Sequence, residues 1–456
     1  MLELSLFGGD PVRKKPFQSS VVVDEKEWDY ISQVLRNKEF SRFMGSPSKD
    51  IGTLLTMPSD DAEDLEGQYF SFLGGRMVRK FEAEFAGKFG VPYAISLNSA
   101  TSGLSTALGA AGVGPGDEVI TTCMSFNATA LSILLFNSIP VFVDVDPGTF
   151  CLDPMEVEKA ITPKTRAIMV VHLFGNAADM DVIMKIAERH NLVVIEDCAQ
   201  APGTKYKGKY VGTIGHMGVF SFQETKNMMT GEGGMIITAN PEFAQKARLI
   251  RNHGESVPDD TWYDDSLVNL IGMNFRMTEL TAALGIAQLA KLDENNRIRT
   301  NNARYLSEEL SGLPGLTIPV VMHDAVPHSF PMLYDEKETG VERHKVLMAL
   351  RSEGIPVGSG YLRLMYENPI FLRKIAYGKH HCPWSCHLYN ADREYKQGDC
   401  PTGERLLREQ FIWFYHINRP NTIDDMKDVV RAFNKVFDRL GDLRNAEIDG
   451  TLSYKW

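Results

Sequence analysis

The spacing of apolar residues changes character along the chain. Around residues 28–35 and again from Val78 to Phe89 they recur every three or four positions. Val78, Phe81, Phe85 and Phe89 share one face, so both stretches read as amphipathic helices. Between them, residues 41–66 turn polar, with Asp60, Asp61 and Asp64 among Ser and Gly, which predicts a long loop or insertion. From Tyr93 the rhythm shifts to short continuous apolar runs at 93–97, 118–122, 141–143, 167–172, 192–196, 219–222 and 235–238. Stretches of about one helix length separate most of them. That alternation predicts a mainly parallel sheet covered by helices on both faces. Such sheets bind ligands beyond the carboxyl ends of their strands, so functional residues are expected directly after strands.

Residues 277–313 form one long helical pattern that stops near Gly312 and Pro314 and leads into a second region. That region carries weaker alternation and two further helices, near 342–353 and 422–440, and the polar tail after Gly441 is expected to fray. The division this suggests is a large domain over 1–290 and a smaller one over 291–456. There is no internal repeat and no low-complexity tract.

Composition narrows the function. The chain has 456 residues, 43% of them hydrophobic, and a net charge of −11. An acidic surface repels phosphate backbones and anionic lipid, which argues against nucleic-acid and membrane-surface roles. Six cysteines in this length are too sparse for a disulfide scaffold. No apolar run approaches a membrane span, and the first residues lack a signal-peptide pattern. A reducing cytoplasm is the expected compartment. The segment Asn127-Ala128-Thr129 is a glycosylation sequon by spelling only.

Two motifs are set aside. Residues 203–210 almost spell a phosphate-binding P-loop, but Tyr210 stands where Ser or Thr belongs, and no strand–loop–helix context surrounds them. The cluster His380, His381, Cys382, Cys386 and His387 matches no standard metal spacing and reads as a packed loop. No metal is expected.

Four other features each follow an apolar run. Asn98-Ser99-Ala100-Thr101-Ser102-Gly103 opens a helix with small hydroxyl residues, which suits a phosphate; alone, it is equally a plain N-cap. Asp197 ends a strand and Gln200 follows three residues later; alone, this is as readily a structural ion pair. Lys226 lies five residues past Ser221 and before a Gly-rich turn at 231–234. Burial favours the neutral amine, which forms Schiff bases, although a single Lys is ordinarily a surface charge. Phe126, just past the run at 118–122, could stack on a flat ring, although a single Phe is more often core. Together they match the needs of pyridoxal phosphate: a lysine for its aldehyde, an acid for its ring nitrogen, a phosphate cup and a stacking face.

At these residues the chain resembles the DegT/DnrJ/StrS family of pyridoxal-phosphate-dependent sugar aminotransferases. The resemblance runs through Gly8-Gly9, Pro11-Val12-Arg13, residues 98–104, 114–120, 171–175, 196–203, 220–234, 274–289, 382–384 and 400–404. It implies an α/β, type I aspartate-aminotransferase-like fold: a large domain with a mixed, mostly parallel sheet and a smaller C-terminal α/β domain. Lys226 would bind the cofactor aldehyde and then move the substrate proton. Asp197 would pair with the ring nitrogen and Gln200 with the phenolic oxygen. Ser221, Ala100, Thr101 and Ser102 would hold the phosphate, and Phe126 would stack. The resemblance further implies a homodimer with shared active sites, in which Arg276, or failing it Asn274, reaches the neighbouring subunit's phosphate. The expected reaction is ping-pong transfer from L-glutamate or L-glutamine, by way of pyridoxamine phosphate, to a nucleotide-linked keto-sugar or a keto-cyclitol such as an inosose. The length and residues 382–404 look more like the cyclitol branch. A dehydratase or lyase of the same family, and a silent regulatory protein on the same fold, are the alternatives. Lys226 speaks against the first, and the complete Lys/Asp/Gln/Ser set against the second.

Overall fold

The structure is a computed structural model that describes residues 3–18, 21–43, 56–63, 72–254, 271–319, 324–360 and 363–448. The continuous apolar runs become β1 (Tyr93–Leu97), β2 (Glu118–Thr122), β3 (Ile139–Val143), β4 (Thr165–Val171) and β5 (Val193–Asp197). A two-rung hairpin of β6 (Lys205–Tyr206) and β7 (Lys209–Tyr210) follows, then β8 (Met217–Ser221) and β9 (Gly234–Thr238). The hairpin occupies the near-P-loop segment, which therefore opens no helix.

Seven strands form one sheet in the order β1-β9-β8-β5-β4-β2-β3. The pairs β3–β2, β2–β4, β4–β5 and β5–β8 are parallel. Only β9 runs against its neighbours, β8 and β1. Every residue of β1, β2, β8 and β9 is buried, because helices cover both faces. Phe81, Phe85, Ile183 and Ile286 belong to one face's core; Leu104, Leu108, Ala244 and Ala247 belong to the other's.

A second sheet, β10 (Leu316–Thr317), β11 (Phe330–Tyr334), β12 (Val357–Gly358) and β13 (Phe411–Phe414), is antiparallel in the order β10-β11-β13-β12. The helices Arg343–Ser352 and Ile423–Phe437 share its core, and so does Leu4 from the chain's beginning. Arg13 fastens that beginning by ion pairs to Asp425 and Asp428, at 2.9 and 2.8 Å. A third core joins Cys123, Val145 and Phe150 of the large sheet's edge to Tyr366, Phe371, Trp384 and Phe411. The chain thus crosses between its cores several times.

Three expectations are corrected. The pattern over 277–313 is two helices, Glu279–Leu289 and Leu292–Leu310, parted at Ala290-Lys291. At that joint the buried Lys291 ammonium pairs with Glu27 and Asp24, both at 2.7 Å, beside the N-terminal helix Glu25–Asn37. The apolar spacing runs on across the joint, so periodicity cannot register the break. Within 41–66, Ser59–Glu63 is helical, and Ser59 Oγ accepts the Ala94 N–H at 2.9 Å; residues 44–55 and 64–66 lie outside the described residues. The tail does not fray directly after Gly441, because Leu440–Arg444 is a short helix with Leu443 fully buried. Among the described residues, no helix is long and apolar enough to cross a membrane.

Candidate active site

The carboxyl ends of β1, β8, β5, β4 and β2 open on one edge of the large sheet, and register sets their residues side by side. Gly234 at the start of β9 stands opposite both Leu97 and Ser221. A Cβ on Gly234 would lie 2.5 Å from the Ser99 carbonyl, so only glycine lets β9 pass this turn. Ser99 caps the helix Ala100–Ala110, its Oγ accepting the Ser102 N–H at 3.1 Å. Ser102 Oγ donates to Asn98 Oδ1 at 2.6 Å. Ala100 and Thr101 occupy the first turn, whose N–H groups have no partner within a helix.

Asp197 ends β5 and is buried. Its Oδ1 accepts the Ala199 N–H at 3.1 Å, and its Oδ2 accepts the Thr129 hydroxyl at 2.9 Å. Burial raises its pKa above the usual carboxylate value, against these donors and the charge of Lys226. Lys226 is partly exposed, and burial of its ammonium lowers its pKa to about 8 despite the attraction of Asp197. Gln200 is held by its Oε1, which accepts the Phe174 N–H at 2.9 Å. Ser221 is buried at the end of β8. Phe126 is 66% exposed, so its ring packs little against its own chain.

Residues 274–276 abut the turn at 98–102. Asn98 N–H donates to the Phe275 carbonyl at 2.8 Å, and the Asn98 amide to the Asn274 carbonyl at 3.4 Å. Arg276 donates to Asn274 Oδ1 at 2.9 Å and Asn252 Oδ1 at 3.2 Å.

Sequence reasoning missed several neighbours. Thr129 is one; its position four residues after Ser125, at a helix start, was the available signal. His328 is another, and a chain of amides fixes its tautomer. Asn296 donates to the Pro202 carbonyl at 2.8 Å, which leaves its Oδ1 to accept from Asn227 at 3.2 Å. Asn227 Oδ1 then faces His328 Nδ1 at 3.3 Å, so that nitrogen carries the proton. Burial, with Lys226 and Arg299 nearby, holds the imidazole's pKa well below its usual value. Tyr415, just past β13, donates its hydroxyl to the Thr225 carbonyl beside Lys226. No sequence motif links these residues, which meet only through the fold.

Two groups of potential metal ligands exist among the described residues, Cys123/Asp144/Cys400 and His172/Glu196/Cys198. Both carboxylates are already engaged. Asp144 accepts N–H groups from Val145, Thr402 and Gly403. Glu196 accepts those of Gly212, Ile214 and Gly215 and the His172 ring N–H. The His/Cys loop at 380–387 belongs to neither group; there Cys382 pairs in a β-bridge with Tyr377 and Trp384 donates to Tyr395 at 3.0 Å.

This edge brings together a buried acid, a lysine whose pKa burial lowers and a hydroxyl-lined helix start, the kinds of group that Schiff-base chemistry uses. A family model described as "DegT/DnrJ/EryC1/StrS aminotransferase family" matches residues 61–394. An L-glutamine:2-deoxy-scyllo-inosose aminotransferase of Streptoalloteichus tenebrarius is 34% identical over 459 residues, covering 97% of this chain and 99% of the relative. GDP-perosamine synthase of Caulobacter vibrioides is 44% identical over 239 residues, covering 52% of this chain and 63% of the relative. The solved aminotransferase of Psychrobacter cryohalolentis has a TM-score of 0.76 at 29% identity, covering 93% of this chain and all of that one. The chain belongs to the DegT/DnrJ/EryC1/StrS family and is an aminotransferase.

Aminotransferases of this family are in general pyridoxal-phosphate dependent, and the residues present fit that group. A carboxylate buried against its own pKa preference calls for a cationic partner, which a ring N–H supplies. The helix start beside Gly234 suits a phosphate.

Proposed function

We propose that this chain is a pyridoxal-phosphate-dependent, ping-pong aminotransferase that takes an amino group from L-glutamine, or L-glutamate, and delivers it to a keto-cyclitol of the inosose class. The observation that carries the reading is the convergence of Lys226, Asp197, Ser221 and the 99–102 turn on one sheet edge, with Lys226 held near pKa 8. When bound, pyridoxal phosphate supplies an electrophilic aldehyde and an electron-withdrawing ring.

In this reading Lys226 Nζ binds the aldehyde. Its free amine would take and return the proton at the substrate Cα, a task suited to an amine with a pKa near working pH. Asp197 would keep the ring nitrogen protonated, and Gln200 would meet the phenolic oxygen. Ser221, Ala100, Thr101 and Ser102 receive the phosphate. Phe126 lies open to stack on the ring. We read the enzyme as a homodimer in which Arg276, or else Asn274, completes the neighbouring phosphate site.

The cyclitol is favoured because the inosose aminotransferase aligns over nearly all of both chains. A nucleotide-linked keto-sugar is the second reading, supported by the higher identity to GDP-perosamine synthase over a shorter span. The test is the visible spectrum of purified protein with pyridoxal phosphate, before and after L-glutamine, followed by scyllo-inosose or a nucleotide-linked keto-sugar. A yellow band that L-glutamine bleaches and an inosose restores is expected. Restoration by the keto-sugar alone replaces the acceptor, and a protein that never colours overturns the reading.

A further inference from the structure

The helix Ala128–Leu135 begins after Asn127, two residues past Phe126, and its first turn reaches Asp197 at the end of β5 through Thr129. Thr129 Oγ1 lies 2.9 Å from Asp197 Oδ2, and Ser125 Oγ lies 2.9 Å from Thr129 Oγ1. All three residues are buried, with Thr129 only 1% exposed. Counting protons fixes the direction of this chain. An ionised carboxylate only accepts, so the Thr129 hydroxyl spends its single proton on Asp197. The Ser125–Thr129 contact must then use the Ser125 proton. Both O–H bonds therefore point towards Asp197.

Hydroxyl donors suit this place for a physical reason. They stabilise a buried anion without cancelling its charge, whereas an arginine here would form its own ion pair. With Oδ1 held by Ala199 and Oδ2 by Thr129, the carboxylate cannot rotate freely. Each oxygen still keeps lone-pair capacity for another donor.

We propose that Ser125 and Thr129 are a positioning pair, a two-hydroxyl relay that orients the Asp197 carboxylate and keeps it charged for the cofactor's ring nitrogen. The inference rests on the cofactor reading above. The relay acts through Asp197 and touches neither substrate nor cofactor. The other titratable groups acting on Asp197 are Lys226, from the segment after β8, and His172, after β4; Cys198 is its chain neighbour. All three persist in every variant below, so differences between variants report on the hydroxyls.

The experiment is titration of cofactor-free, full-length protein with pyridoxal phosphate between pH 5.5 and 8.5, following the visible band. Thr129→Val keeps the shape and removes the donor. It is expected to weaken binding at pH 7 by about tenfold or more, as loss of a hydrogen bond to a charged group does. It should also move the acid-side loss of binding up by about one pH unit. Thr129→Ser should restore both. Ser125→Ala should weaken binding by about threefold and move the pH midpoint the same way by about half a unit, and it decides the matter if Thr129→Val does not fold. In an Asp197→Asn background, Thr129→Val should add nothing further, because the relay's target is gone. Unchanged affinity and pH midpoint in Thr129→Val, or in Ser125→Ala if that is the variant that folds, overturn the relay while leaving the cofactor reading intact. An equal loss of affinity in the Asp197→Asn background also overturns it, because the threonine would then act by packing alone. Wild-type protein that takes up no pyridoxal phosphate overturns both readings together.

Discussion

Glu196 and Asp197 are consecutive, buried and acidic, and they meet opposite fates. Side chains alternate across a strand, so Glu196 faces the loop at 212–215 and Asp197 faces the Thr129 side. Glu196 receives four donors: three backbone N–H groups and the His172 ring. The His172 Nδ1 accepts the Ala178 N–H at 3.2 Å, so the Nε2 proton goes to Glu196 and the whole group is closed. Asp197 receives two donors, and burial pushes its pKa up. A saturated buried carboxylate ties loops together. An undersupplied one stores an electrostatic need that a ligand can meet.

The largest effect that would sharpen this contrast lies at the amine beside Asp197. Lys226→Ala should lower turnover by at least about a thousandfold, since in the proposed reading it removes both the aldehyde's partner and the proton carrier. A steady-state assay with L-glutamine and an inosose checks this, and near-normal turnover would break the assignment.

On the saturated side the readout is stability. Glu196→Ala leaves three backbone donors and a ring N–H buried without their partner, and should cost about 3–5 kcal/mol. Asp197→Asn should leave the cofactor-free protein unchanged or about 1 kcal/mol more stable, because it removes a charge that burial disfavours. Urea denaturation of both variants without cofactor would undo the contrast if the order were reversed.

The third effect is a pH dependence. Lys226 titrates near 8 in the folded chain and near 10.5 unfolded. Below pH 8 the amine is protonated in both states, and the folded state bears the cost of burying charge. Between 8 and 10.5 the unfolded state binds more protons, so stability should rise with pH, by at most about 3 kcal/mol. Comparison of cofactor-free wild type with Lys226→Met across pH 7–10.5 isolates this contribution. Parallel curves for the two proteins would refute the lowered pKa.

The smallest effect belongs to Phe126. Its exposure means that Phe126→Ala should change cofactor-free stability by less than about 0.5 kcal/mol. Cofactor affinity should nevertheless fall several-fold, since ring stacking is worth about 1 kcal/mol. Unchanged affinity for pyridoxal phosphate would remove Phe126 from the site.

Much of the large sheet and of its carboxyl edge is legible in the sequence. All seven strands of the large sheet lie within about two residues of the apolar runs that predicted them, because a strand buried on both faces must be continuously apolar. Asp197 and the 98–102 turn stood directly after such runs, Ser221 lay within the run at 219–222, and Lys226 followed it by four residues. Other features were not legible, for equally physical reasons. The joint at Ala290-Lys291 interrupts no hydrophobic period, since a charged residue drawn into a buried pair looks like any surface lysine. Leu443 looked like part of a polar tail because its burial comes from distant residues of the second sheet's core.

The sequence by itself determined the alternating architecture, the family and the residue types that chemistry requires, because periodicity and local motifs are written in neighbouring positions. Only the tertiary structure decided which acid of the Glu196–Asp197 pair is closed and which is open. It also decided that Ser125, Thr129 and Asp197 lie in one hydrogen-bonded row, and that Pro202, Asn296, Asn227 and His328 form another. Those outcomes depend on counting hydrogen-bond donors from strands and loops far apart in the chain, and no local pattern carries that count.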